Sequence, residues 1–168
     1  MPKIIENLDK TIFEEVHKQL SSTTYSNLTI RSIANACGIG IGTIYNYYSS
    51  KDQLVAQYLL DDWNQCLSVI NETCANTDSN EVASRCIFEQ LNDYITRHKN
   101  IFRDEMAIKS FHNTFGKYHH FLRNQIAIPL VKFCSTDFVV EFIAEALLTW
   151  IVAGKSFDEI YEIIKKCF

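Results

Sequence analysis

The sequence predicts a protein built almost entirely of α-helices. Its 168 residues include only five glycines and two prolines, fewer chain breakers than a turn-rich β-protein needs. Apolar residues make up 47% of the chain and aromatic residues 12%, a globular composition that excludes wholesale disorder. Apolar residues also recur at three- and four-residue spacing along most of the chain. This length fits one compact domain, or a small domain joined to a larger one.

Charge and cysteine content exclude several classes of protein. The formal net charge of −4 excludes a generally basic nucleic-acid-coating protein, although residues 1–60 carry five basic and five acidic residues and are neutral.

The six cysteines form no CxxC pair, and the adjacent His119 and His120 point in different directions from a helix, so we expect no metal and no cofactor. We expect reduced thiols in a cytoplasmic protein, with a redox-sensing cysteine as the alternative. No signal peptide is predicted, because charged residues occur throughout residues 1–20. No membrane span is predicted either, because the uncharged apolar stretch at residues 146–154 is far shorter than the roughly 20 residues that cross a bilayer.

The first three predicted helices lie between clear local signals. One amphipathic helix covers residues 4–20, and the polar stretch 21–27 ends it. Thr29 is a good N-cap for a second, short helix, and Gly38 supplies the left-handed residue that a tight exit needs. A third short helix follows at about residues 41–47. Two short helices joined by a glycine-bearing turn form a helix-turn-helix arrangement.

A long helix and three further segments follow. Ser50 caps the long helix, and Gln53 completes a capping box. The helix runs to about Cys74, where the polar stretch 75–80 interrupts the pattern. The next helices are predicted at about residues 82–97, 101–111 and 114–133, with Pro129 as a kink or an early end. With the final pair, the chain contains about nine helices.

The helix that ends at Gly154 carries two adjacent apolar stripes, whereas a surface helix of a monomer needs only one. A capping box of Ser156 and Glu159 begins the last helix, which has one apolar face. The pair is therefore predicted to pack on its own core and on a second copy of itself, as a four-helix bundle in a homodimer. The alternative is a hairpin that folds wholly into one subunit. The predicted dimer interface comprises Phe138, Phe142, Ala146, Trp150, Phe157, Ile160, Tyr161 and Ile164.

The segment from Leu28 to Leu54 reads LTIRSIANACGIGIGTIYNYYSSKDQL. It resembles the DNA-binding region of the tetracycline-repressor (TetR) family of bacterial regulators. The family usually has serine where Gly40 stands, histidine where Tyr47 stands and phenylalanine where Tyr48 stands. The resemblance rests on Thr29, Ile33, Ala34, Gly38, Ile39, Gly42, Thr43, Ile44, Tyr45, Tyr48, Ser50, Lys51, Asp52, Gln53 and Leu54.

The resemblance implies an all-α fold with two domains. Residues 1–50 are expected to form a three-helix helix-turn-helix head that binds DNA. Residues 51–168 are expected to form a helical bundle for regulation and dimerisation, joined to the head by the long helix. The implied protein is a cytoplasmic bacterial transcriptional regulator. It binds a palindromic operator in double-stranded DNA as a homodimer, and we expect a repressor.

A recognition helix needs one face on its own domain and one face in the major groove. Ile44, Tyr48 and Ile41 are assigned to the inner face. Few basic residues lie near the presumed DNA face, so modest affinity and a shallow dependence on salt are expected. The predicted DNA-binding residues are Thr29, Arg31, Gly42, Thr43, Tyr45, Asn46, Tyr47 and Lys51. Among them, Gly42 allows close approach, Thr43 and Asn46 offer groups to base edges, and Tyr45, Tyr47 and Lys51 offer groups to phosphates.

The resemblance also implies a small-molecule effector in the C-terminal core, with an apolar or aromatic ligand as the default. Two other classes stay open. One is a regulator or interaction protein controlled by a protein partner instead of a small molecule. The other is an enzyme, which we do not expect because the sequence has no nucleophile elbow, P-loop, HExxH or GxGxxG motif. The predicted ligand pocket comprises Trp63, Phe88, Phe102, Met106, His112, Phe115 and His119.

Overall fold

A computed structural model describes residues 7–110 and 112–168, without the side chains of residues 112–117. Over these residues it contains ten α-helices and no strand, which confirms the predicted all-α class. No helix in this part of the chain is long and apolar enough to cross a membrane. The helices are α1 (Leu8–Ser22), α2 (Ile30–Ala36), α3 (Ile41–Tyr47), α4 (Lys51–Ala75), α5 (Asn80–Arg97), α6 (Lys99–Phe102), α7 (Glu105–Ser110), α8 (His112–Leu130), α9 (Asp137–Val152) and α10 (Phe157–Ile164).

The helices divide into two compact units. The N-terminal unit comprises Met1–Asp61 and Arg97–Phe111, and the C-terminal unit comprises Asp62–Thr96 and His112–Phe168. The first eleven residues of α4 thus belong to the N-terminal unit, as do α6 and α7. The predicted functional boundary after residue 50 stays a prediction.

The helix-turn-helix forms where the local signals predict it. The Thr29 hydroxyl accepts a hydrogen bond from the Ser32 N–H at 3.0 Å and caps α2. Gly38 has a φ of 66°, the left-handed conformation that the turn requires. The Ser50 hydroxyl accepts from the Gln53 N–H at 3.1 Å and caps α4. The Gln53 side chain accepts from the N–H of Ser49 and not of Ser50, so the capping box closes one residue earlier than predicted.

The core of the N-terminal unit forms around α1. Its four buried apolar residues fall at four-residue spacing, so they lie on one face of the helix, as predicted. The beginning of the predicted helix, residues 4–6, lies outside the described residues. Tyr25, in a 3-10 turn at Tyr25–Asn27 within the predicted polar break, is almost completely buried. The buried residues of α1 are Leu8, Ile12, Val16 and Leu20.

The single helix predicted at residues 101–111 is wrong, because α6 and α7 take its place. Asp104 lies between them, and its Oδ1 accepts hydrogen bonds from the N–H groups of Met106 at 2.9 Å and Ala107 at 3.2 Å. These bonds begin α7 anew. Asp104 is nearly buried and also accepts bonds from the backbone N–H and the hydroxyl of Ser26, so it is not a solvated surface carboxylate. Phe111 lies outside the described residues.

Side-chain caps and a proline set the helix ends in the C-terminal unit. The Ser79 hydroxyl accepts from the Val82 N–H at 3.3 Å and begins α5. Helix α8 ends at Leu130, one residue after Pro129. Ser156 and Glu159 form the predicted capping box of α10. Phe157, the first residue of α10, packs edge-on against Phe88, with the ring centroids 5.6 Å apart.

Candidate nucleic-acid interface

Helix α3 presents different chemistry on its two faces. Ile44 and Tyr48 are buried, as predicted, whereas Ile41 is 41% exposed, so its assignment to the inner face is wrong. Tyr45 and Tyr47 are 51% and 57% exposed, which makes a purely structural role in the core untenable for either ring. The outer face of α3, defined as Gly42, Thr43, Tyr45, Asn46 and Tyr47, is exposed except for the half-buried Thr43.

Tyr48 fixes the end of α3 to α1. Its hydroxyl donates a hydrogen bond to Asp9 Oδ1 at 2.6 Å, and its backbone N–H donates to the Ile44 carbonyl at 2.9 Å. Burial raises the pKa of Tyr48, and the hydrogen bond to Asp9 raises it further, so the hydroxyl stays protonated and remains a donor. A phenylalanine here could not make this bond. The tyrosine therefore gives a polar anchor to the segment that precedes α4.

The two glycines at the start of α3, Gly40 and Gly42, differ in the space around the position of a Cβ atom. A Cβ atom on Gly42 would meet no atom of the chain within 4 Å, so the fold itself does not require glycine there. A Cβ on Gly40 would make an ordinary contact of 3.7 Å with the Thr43 hydroxyl. Gly40 is the N-cap of α3 and offers no side-chain cap. Of the two, only Gly42 lies on the outer face, where a close-approaching partner gives a reason for glycine.

Lys51, the first residue of α4, is held in place. Its Nζ donates to the Tyr25 carbonyl at 3.0 Å and lies 4.1 Å from the centroid of the Tyr25 ring. The Tyr25 hydroxyl donates a hydrogen bond to Asp52, so Lys51 and Asp52 both contact Tyr25. An ammonium group has three N–H donors, so Lys51 retains donors after the bond to Tyr25. Lys51 is therefore not a freely solvated lysine.

Thr29 and Arg31 lie at the start of α2, and both are exposed. The Thr29 hydroxyl accepts from the Ser32 N–H, so it serves as a cap whether or not it also reaches a phosphate. Basic residues are sparse here: beyond Arg31 and Lys51, the described part of the chain before residue 61 has only Lys10 and Lys18, both on α1 and each near a glutamate. A shallow dependence of DNA binding on salt therefore stays the expectation.

The predicted ligand-pocket residues are divided between the two units. Trp63, Phe88 and His119 belong to the C-terminal unit, whereas Phe102 and Met106 belong to the N-terminal unit. His119 is exposed, and its Nε2 lies 3.4 Å from Glu145 Oε1 on α9. Met106 is also exposed. The side chains of His112 and Phe115 lie outside those described.

Of the predicted pocket residues whose side chains the structure describes, Trp63 alone combines complete burial with an unused polar group. Its Nε1–H has no hydrogen-bond acceptor among the described residues. Its ring packs edge-on against Tyr94, with the centroids 5.5 Å apart, and the Tyr94 hydroxyl is hydrogen-bonded to that of Tyr118. Helical spacing alone gives no signal that the hydroxyls of these two tyrosines meet.

The predicted dimer-interface residues fall into two groups. Phe157, Ile160, Ile164 and Ala146 are already buried within one chain. They stabilise the subunit itself and are not free to meet a second copy. Phe138 is 77% exposed and Phe142 is 42% exposed, and the other two residues of the predicted set are half-buried. The remaining candidates are therefore Phe138, Phe142, Trp150 and Tyr161.

Comparison with known proteins confirms the predicted resemblance. Residues 12–58 match the family model described as bacterial regulatory proteins, tetR family. No curated protein sequence matches the chain. Among solved structures, the TetR family repressor AlkX from Dietzia sp. strain DQ12-45-1b is similar over 93% of each chain, with 15% identity and a TM-score of 0.67. The regulator FadR from Bacillus subtilis, solved in complex with stearoyl-CoA, is similar over 92% of this chain and 96% of that chain, with 11% identity and a TM-score of 0.57.

Proposed function

We propose that this chain, whose N-terminal segment matches the tetR model, is a sequence-specific transcriptional repressor that binds a palindromic operator as a homodimer. The observation that carries the proposal is the outer face of α3. It combines an open glycine, two exposed tyrosines and an exposed asparagine on a short helix whose inner face is buried. A recognition helix needs this division. The protein would act in the bacterial cytoplasm without catalysing a reaction.

Within the proposed interface, each group has a distinct task. Asn46 and Thr43 would meet base edges in the major groove, where an amide or hydroxyl can both donate and accept. Tyr45 and Tyr47 would donate to phosphate oxygens, which fix the position of the helix on the duplex. Lys51 would contact a phosphate from the start of α4, since the anchoring on Tyr25 presets its direction. Thr29 and Arg31 would contact the backbone from α2.

The homodimer is proposed to form through the exposed stripe of α9. Phe138 and Phe142 are one helical turn apart, and neither carries a polar group that water would solvate. Large exposed apolar side chains on adjacent turns are typical of an interface with another apolar surface. A two-fold dimer places two recognition helices on two half-sites, and a palindromic operator mirrors this symmetry.

The effector is proposed to be a small apolar or aromatic molecule that binds in the C-terminal unit. The unpaired donor of Trp63 supports a ligand there. The acyl chain of stearoyl-CoA, bound to the structurally similar FadR of Bacillus subtilis, is also apolar. Such a ligand changes DNA binding only if it prefers one conformation of the dimer to another.

The test is selection of DNA from a random pool with the purified full chain, beside the double variant Tyr45→Ala/Lys51→Ala. The proposal expects enrichment of a palindrome by the wild-type chain and loss of that enrichment in the variant. Circular dichroism of both proteins controls for folding. No enrichment at low salt would contradict the proposal, and a pull-down would then seek the protein partner of the alternative hypothesis.

A further inference from the structure

The core of the C-terminal unit contains a hydrogen-bond donor that the described residues do not satisfy. Trp63 is fully buried, and its Nε1–H has no acceptor within hydrogen-bond distance there. An indole N–H donates and cannot accept, so no rearrangement of hydrogens changes its need. Roughly nine in ten buried polar groups in proteins are hydrogen-bonded, because an unpaired one destabilises the fold. A bound molecule that carries an acceptor would satisfy this donor.

The surroundings of this donor are aromatic and contain a second polar group. Tyr94 is fully buried and meets the Trp63 ring edge-on. The hydroxyls of Tyr94 and Tyr118 are hydrogen-bonded to each other, and the Tyr118 ring stacks on Phe121, with the centroids 6.0 Å apart. Aromatic walls with a few oriented polar groups are characteristic of sites for small molecules.

The electrostatics of the cluster favour an uncharged ligand. Burial raises the pKa of Tyr118 to about 12 and also raises that of Tyr94, so both hydroxyls stay neutral at physiological pH. The negative charge of Asp62 acts on both pKa values in the same direction. A carboxylate or phosphate placed beside the pair would meet the same repulsion and lose its own hydration.

We propose that the effector is an uncharged molecule with an apolar body and one oxygen acceptor, a ketone, ester or ether, which accepts a hydrogen bond from Trp63 Nε1. The acceptor lies against the Trp63–Tyr94–Tyr118 cluster, and the body packs among the apolar side chains of the same unit. This inference deepens the proposed function and rests on it, because the bound molecule is an effector only if the protein is a regulator. The binding site itself is tested without DNA.

Three probes with the same ten carbons isolate the acceptor. Butylbenzene has no acceptor, 1-phenylbutan-1-one has a neutral carbonyl oxygen, and 4-phenylbutanoate has a charged carboxylate. Each is titrated calorimetrically into the full chain in the absence of DNA. The ketone is expected to bind about tenfold tighter than the hydrocarbon, because it satisfies a buried donor. It is also expected to bind about tenfold tighter than the carboxylate, because a carboxylate would lose its hydration beside the buried Trp63 and Tyr94.

The variant Trp63→Phe keeps an aromatic ring and removes the donor. It is expected to bind ketone and hydrocarbon equally, with the affinity for the hydrocarbon unchanged from wild type. Its thermal midpoint without ligand is expected to change little, because removal of an unpaired buried donor offsets packing lost with the larger ring. Unchanged hydrocarbon binding shows that the site still folds. Tyr118→Phe is the second variant, and it shows whether the hydroxyl pair adds to the preference.

Equal affinity of the wild type for ketone and hydrocarbon would overturn the inference, as would no binding of any probe at millimolar concentration. A ketone preference that survives Trp63→Phe would overturn it as well, because a group other than Trp63 Nε1 would then recognise the carbonyl. The result is separable from the DNA selection. If the ketone is preferred but no operator is selected, the binding site is supported and the regulatory role is refuted.

Discussion

Helices α3 and α9 both leave large aromatic side chains exposed, but with different chemistry. The exposed rings of α3, Tyr45 and Tyr47, carry hydroxyls and stand on the same face as an open glycine. The exposed rings of α9, Phe138 and Phe142, carry no polar group. Exposure alone therefore does not identify a partner. A hydroxylated face suits a hydrated, phosphate-bearing surface, whereas a bare phenyl face suits a second apolar surface.

The largest effect is expected from charging α9. Replacing Phe138 and Phe142 with glutamate would bury two carboxylates in the proposed dimer interface, and we expect the dimer dissociation constant to rise by about 100-fold or more. Both side chains are exposed within one chain, so the subunit should still fold. Sedimentation velocity measures the change, with Glu141→Gln on the same helix as the control. A double variant that stays as dimeric as the control would place the interface elsewhere.

The next largest effect is expected on the free energy of unfolding. Asp104→Asn should lower the free energy of unfolding by about 1–3 kcal/mol at pH 7, because it weakens charge-assisted bonds from Ser26 and α7. Burial alone would raise the pKa of Asp104, but the hydrogen bonds from Ser26, Ala107 and Met106 outweigh it and hold the pKa below its usual value. Its contribution is therefore complete above the unfolded pKa of about 3.9 and is lost as the pH falls through the lower folded value.

Urea unfolding at pH 7 and at decreasing acidic pH checks this prediction. The difference in the free energy of unfolding between the wild-type chain and Asp104→Asn should disappear as the solution becomes acidic. Glu105→Gln, next to it on exposed α7, is the control and should change little. A variant as stable as wild type at pH 7 would show that the bonds of Asp104 do not stabilise the fold.

A smaller effect separates DNA binding from folding on α3. Gly42→Ala introduces a methyl group into open space, and alanine favours a helix, so stability should stay the same or rise. If the outer face closes on DNA, the same methyl should weaken binding to the selected operator by about tenfold. Fluorescence anisotropy and urea unfolding on the same preparation measure the two quantities. Unchanged affinity would mean that DNA does not approach α3 at Gly42.

Lys51→Met tests the proposed phosphate contact. We expect the operator affinity to fall several-fold at low salt and the slope of log affinity against log salt to decrease by about one per subunit. Stability should fall by about 1 kcal/mol, because the contacts with the Tyr25 carbonyl and ring are lost. An unchanged salt slope would assign Lys51 a structural role only. Lys10→Met on α1 is the matched control.

The smallest effect is expected at the N-cap of α3. Gly40→Ser adds a hydroxyl that can accept from the free N–H groups of the first turn, and the added Cβ has an ordinary contact. Stability should rise by a few tenths of a kcal/mol, as for other glycine caps replaced by serine. Thermal unfolding detects the shift. A fall in stability would show that the extended conformation of Gly40 does not suit a capping side chain.

Local signals made the helix boundaries predictable, and distant contacts explain most of what was missed. The caps at Thr29 and Ser156 lie within three residues of their partners, so the sequence displays them directly. Asp104 looks like a surface carboxylate because its partner Ser26 is 78 residues away along the chain. Likewise, the two apolar stripes of α9 predicted an excess of apolar surface. Only the structure shows that α10 buries its own face and leaves Phe138 and Phe142 outside.

The candidate site was predictable to a different extent in each unit. The outer face of α3 follows from helical periodicity, since burial of Ile44 directs its neighbours Tyr45 and Asn46 outward. No such rule applied to the ligand pocket. Aromatic residues at helical spacing are equally consistent with an ordinary core. What marks Trp63 is a missing acceptor, and that appears only when the neighbours of its Nε1–H are known.

Hydrogen exchange of the full chain with and without the selected operator, read by mass spectrometry, tests the contrast between α3 and α9 most directly. We predict that DNA slows exchange in residues 41–51, while residues 137–152 change only when the protein is diluted below its dimer dissociation constant. Protection by DNA at residues 137–152 without any at 41–51 would contradict the assignment of these two surfaces to DNA and to a second copy of the chain.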